Sequence, residues 1–145
     1  MATVERSALV MHSAQEMFDI VNDVKAYPEF LPWCSGTTVI SEDSQEMTAS
    51  IEVAKAGFHY RFTTKNTLQP PERITLSLVE GPFKTLVGEW YFKPLAEDAC
   101  KVSLTLTFEF ANKLAGMAMG KVFNQIATTM VDAFCQRAEK VCGKS

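Results

Sequence analysis

Little in this chain can act as a chemical reagent. It has two histidines, His12 and His59, and neither stands in a nucleophile or metal-ligand motif; G-x-S-x-G, H-E-x-x-H and glycine-rich phosphate loops are absent. The four cysteines, at positions 34, 100, 135 and 142, form no C-x-x-C pair, which argues against a zinc site. Cys135 and Cys142 stand on one helical stretch about 10 Å apart along its axis, too far for a disulfide. Free thiols in a reducing compartment are the expectation. Cationic excess is missing too. A formal net charge of −3 and a pI near 5.4 argue against a general affinity for nucleic acid, although not against a local basic patch. No run approaches the roughly 18 apolar residues of a membrane span. The first twelve residues lack the cationic start and long apolar run of a signal peptide. A soluble, cytoplasmic protein with at most peripheral membrane contact is expected.

What is present is ordinary globular material: 145 residues, 47% hydrophobic and 21% charged, enough for a single domain over 1–145 with a sizeable core. No repeat, linker or low-complexity tract divides it. The longest element is the last. From residue 112 to about 142 there is no proline, and Met119, Phe123, Ile126, Met130, Phe134 and Val141 recur at helical spacing, with Ala127 and Ala133 filling in. Asn112 fits an N-cap and Gly143 a C-terminal stop. Such a helix needs a large apolar partner.

The rest of the chain supplies one. Residues 3–11 predict a first strand. Ser13 followed by Glu16 is a capping box that opens a helix with Met17, Ile20, Val21 and Val24 on its buried face. Pro28 ends that helix before Tyr27, and the aromatic, proline-braced segment that follows has room for a short second helix. Then come six stretches of alternating apolar and polar residues separated by turn signals, the cleanest being Val102, Leu104, Leu106, Phe108 and Phe110. The fold class is α+β: a curved antiparallel sheet of about seven strands wrapped around a long last helix, with one or two short helices after strand 1.

At this point the residues resemble a known family. Asn22-Asp23-Val24, then Tyr27-Pro28-Glu29-Phe30-Leu31-Pro32-Trp33-Cys34, then Gly81-Pro82-Phe83-Lys84 with Leu86, Gly88, Trp90 and Phe92, then Phe108-Glu109-Phe110, and on the last helix Met130-Val131, Ala133-Phe134 and Arg137-Ala138, carry the likeness in order and nearly end to end. The chain resembles the family of RatA-type ribosome association toxins and coenzyme Q-binding proteins, in the START-like superfamily of polyketide cyclase/dehydrase type. The resemblance implies a helix-grip fold with a lipid-sized cavity and no required cofactor. It implies one of two roles. The first is a non-enzymatic binding protein for a ubiquinone-type lipid, supporting respiratory electron transport. The alternative is a toxin that binds the large ribosomal subunit and blocks subunit association, with an antitoxin protein as a further partner. Some START-like relatives are cyclases, so an enzyme is a minor third reading.

The residues themselves favour the apolar interior over a basic surface, which places the quinone reading first. Its expected cavity is lined by Tyr27, Phe30, Leu31, Trp33, Phe58, Tyr60, Phe62, Trp90, Phe92, Met119 and Phe123. Gly116, Met117 and Gly120 are expected to soften the start of the last helix into a gate, since two helical glycines together cost about 2 kcal/mol relative to alanine. The competing explanation is close packing of helix on sheet. Lys84, Lys113 and Lys121 are a candidate basic edge for lipid headgroups or ribosomal RNA. No residue is assigned as catalytic or metal-binding. Glu89, Glu109 and Arg61, the available acid–base groups, alternate with apolar neighbours and are expected on the convex face.

Overall fold

Strand β1 (Ala2–Val10) leads into helix α1 (Ala14–Asn22), a 3-10 turn (Val24–Ala26) and the one-turn helix α2 (Tyr27–Phe30). Six strands follow: β2 (Cys34–Glu42), β3 (Glu46–Lys55), β4 (Phe58–Gln69), β5 (Arg73–Glu80), β6 (Phe83–Ala96) and β7 (Ala99–Phe110). Helix α3 (Lys113–Val141) comes last. The structure, a computed structural model, describes residues 2–142; the expected stop at Gly143 lies outside them.

Local chemistry sets these boundaries. The Ser13 hydroxyl accepts from the Glu16 N–H at 3.1 Å while the Glu16 carboxylate accepts from the Ser13 N–H at 2.9 Å, so α1 opens on a complete capping box. Val24 is buried, but in the 3-10 turn rather than on α1 as expected. At the β2–β3 turn the Asp43 carboxylate accepts from the N–H groups of Gln45 and Glu46, both at 2.8 Å, and these bonds hold its pKa below the ordinary carboxylate range. Between β5 and β6 only glycine fits at position 81: φ is 153°, and a Cβ would stand 2.7 Å from that of Phe62.

The seven strands form one antiparallel sheet in the order β1-β7-β6-β5-β4-β3-β2. Six are joined as a meander, and β1 closes onto the far side of β7. The sheet's concave face carries Val53, Ile74, Trp90, Phe92, Val102 and Leu104, each 2% exposed or less. Helix α3 lies against β1, β7 and α1 and completes a helix-grip fold. Its buried stripe is Phe123, Ile126, Ala127, Val131, Phe134 and Ala138. Val141, expected on that stripe, is 57% exposed and lies off it.

Three side-chain ties fasten the second half of α3. Arg6 Nε donates to the Thr128 carbonyl at 3.2 Å. His12 Nε2 and Glu139 Oε2 are 2.8 Å apart. Arg137 donates to the Glu29 carboxylate at 3.0 Å, with its guanidinium carbon 4.8 Å from the Phe30 ring centre. The first turns of α3 are different: Leu114 is 83% exposed and Met117 74%.

Candidate functional site

Two hollows lie on either side of an aromatic cluster. The inner one, about 60 Å³, is enclosed between the concave sheet, the end of α1 and α3. Its wall is largely apolar, and none of its lining side chains is charged. Four lining side chains carry an amide or a hydroxyl. Thr64 donates to Asn66 Oδ1 at 2.9 Å. Asn22 Oδ1 is buried and takes no hydrogen bond, an arrangement that calls for a partner. Tyr27 also lines the space, but its hydroxyl is committed to the Val21 carbonyl, and burial holds its pKa well above the usual phenol range. It is a fixed neutral donor.

The outer hollow is an open groove of about 850 Å³ between the first half of α3 and the end of β7. Phe108 and Phe110 form its apolar floor, with Gly116, Met117, Gly120, Lys113 and Lys121 along the helix side. Between groove and cavity stand packed rings. Phe123 meets Phe62, Phe83, Phe108 and Phe110 at centroid distances from 4.8 to 6.1 Å, and Phe83 stacks on Phe110 at 4.4 Å.

Of the side chains expected around a cavity, Tyr27, Trp33, Phe62, Trp90 and Phe123 line the inner one. The other six do not. Leu31 and Phe92 are fully buried in the core, Phe92 stacked 6.3 Å from Trp90. Phe30 packs on Tyr27 and Phe134 beneath Arg137. Tyr60 packs on Phe83 and Phe110 with its hydroxyl buried and unbonded, and burial raises its pKa. Phe58 is half-buried at the start of β4, and Met119 is half-buried on α3. The expected gate residues all border the groove. The expected basic edge comes together only in part: Lys113 and Lys121 line the groove, while Lys84 is exposed on β6 and does not. Glu89 pairs with Arg73 at 2.7 Å, Arg61 is exposed, and Glu109 borders the groove.

Thr64, Asn66 and Asn22 escaped the sequence reading. The alternation Phe58, Tyr60, Phe62 continues two by two through Thr64 and Asn66 to Leu68, so period alone extends the inward face. The expected lining stopped at Phe62 because the next inward positions are polar.

Comparison with known proteins gives this architecture its kin. Residues 10–135 match the model of the family described as polyketide cyclase / dehydrase and lipid transport. The ribosome association toxin RatA of Vibrio cholerae is 54% identical over 144 residues, which cover 99% of this chain and 100% of that one. The chain belongs to the RatA and coenzyme Q-binding branch of that family. A mitochondrial coenzyme Q-binding protein of Drosophila melanogaster is 30% identical over 142 residues, 95% of this chain and 59% of that protein. Among solved structures, a Streptomyces aromatase/cyclase superposes with a TM-score of 0.87 at 19% identity, covering 99% of both chains, a likeness of fold alone. No helix among the described residues is long and apolar enough to cross a membrane.

Proposed function

We propose that this protein acts by ribosome association: it binds the large ribosomal subunit and hinders its pairing with the small one. One observation carries this reading, the 54% identity to a ribosome association toxin across the whole length of both chains. The geometry agrees in one respect. A cavity of about 60 Å³ has space for a few waters, against the roughly 300–1,000 Å³ of sites that enclose small organic ligands. The order of the two roles expected from sequence is therefore reversed. With a net charge of −3, contact with the ribosome must be local, through a restricted patch or through ribosomal protein. Co-sedimentation with isolated large subunits at low and moderate salt tests the role. Wild type should pellet with the subunits and raise the free-subunit fraction in a sucrose gradient. A steep loss with salt would assign the contact to RNA phosphates. Protein that stays in the supernatant at both salts ends this reading.

Binding of a quinone-type lipid is the second reading. The unbonded Asn22 acceptor in an apolar wall supports it, as does the 30% identity to a coenzyme Q-binding protein. It requires the ring cluster to part beneath Gly116, Met117 and Gly120, so that groove and cavity merge. Native mass spectrometry of protein purified from cells should then find a quinone or prenyl lipid. Recovery of none, with no uptake of added quinone, rejects it.

A further inference from the structure

We infer that the first turns of α3 are a docking face for an anionic lipid surface. Charge is the first observation. Residues 113–131 carry two lysines, Lys113 and Lys121, and no acidic residue, in a chain whose net charge is −3. The remaining residues therefore sum to −5. The molecule as a whole is repelled by an anionic surface while this end is drawn to it, which favours an approach with the start of α3 foremost.

Exposure is the second. Leu114 and Met117 are three apart on the helix, at 83% and 74% exposure, and Lys113 and Lys121 flank them. Leucine and methionine between lysines is the pattern of a helix that lies in a membrane interface, apolar side chains inserted and ammonium groups at headgroup level. The same side chains serve other partners poorly. Exposed Leu and Met offer nothing to RNA phosphates. A stable protein interface covers about 800 Å² per partner, and the outward apolar part of this face is two side chains.

Topology is the third. The face borders the open groove, whose floor is Phe108 and Phe110. An acyl or prenyl chain leaving a bilayer beneath Met117 meets an apolar trough continuous with the Phe123 ring cluster. Glu109, the one acidic lining residue, stands on β7, across from the lysines.

Vesicle flotation tests this directly, with phosphatidylcholine vesicles and with vesicles containing phosphatidylglycerol. Wild type should float with the anionic vesicles and remain at the bottom with the neutral ones, and binding should fall as salt rises, since screening acts within about 8 Å at 0.15 M. The L114E/M117E variant should lose roughly ten-fold or more in partitioning. Glutamates near the start of a helix suit its dipole, so an unchanged melting temperature shows that the loss is not unfolding. Failure of wild type to float with anionic vesicles overturns the inference, as does a double variant that floats like wild type. The same proteins are run against large subunits. If wild type ignores vesicles while L114E/M117E loses the subunit, the face belongs to the ribosome and the lipid assignment is wrong.

Discussion

Cys100 shows what burial does to a single side chain. It is wholly covered on β7, between Val10 and Pro94 of the neighbouring strands, and burial pushes its thiol from 9.0 up to about 11, with Cys135 and Glu16 adding to the rise. Below pH 9 the thiol is protonated in folded and unfolded chains alike and contributes nothing to pH dependence. Between about 9 and 11 the unfolded chain releases a proton that the folded chain keeps, so stability falls as pH rises through that window. Thermal melts from pH 8 to 11 should show a falling midpoint, and C100A should fall less steeply. Some slope should survive, because burial also raises the pKa of Cys34 and Cys135. At neutral pH the same protonation should leave Cys100 unreactive toward thiol reagents in the native protein.

At the scale of the element, the two glycines of α3 have different reasons to be there. A Cβ at Gly116 would stand 3.0 Å from the Cβ of Phe110, closer than such atoms normally pack, so that glycine admits the helix to the end of β7. A Cβ at Gly120 would meet nothing within 4 Å. G120A should therefore raise stability by about 1 kcal/mol, the helix-propensity difference, while G116A should gain less or lose. Denaturant unfolding of the two variants side by side gives the comparison. Equal gains from both would mean that the packing at Phe110 is soft. The sequence pattern could say that both positions were glycine in a helix, but the distance to Phe110 arises from a strand that ends at the helix start, and spacing along one chain carries no such information. The helices, the seven strands and the capping box were legible because each is written in local periodicity or in a three-residue relation.

For the whole molecule, legibility ran out where separate elements meet. Alternation identified which side chains face inward, and five of the eleven expected lining residues do surround the cavity. It could not say how completely rings from β4, β6, β7 and α3 would fill the interior, so a lipid-sized space was expected where about 60 Å³ is open. Lys84 failed to join Lys113 and Lys121 for a related reason: it stands at the right end of the sheet, beside the Phe83–Phe110 pair, but Phe83 is the buried member there and Lys84 is exposed outside the groove. The same long-range assembly governs how the chain must be made. The hydroxyls of Thr3 and Thr107 meet across β1 and β7 although 104 residues separate them, and His12 reaches Glu139 across 127. Loops of that length close slowly, in the regime of milliseconds to seconds for sheet-dominated domains. During synthesis β1 emerges first and can find no native strand partner until β7 has been added, so the nascent chain carries an unpaired sheet edge for most of its translation. An unpaired strand edge of this kind invites pairing with the wrong chain, so the topology exposes the protein to misassembly until β7 arrives.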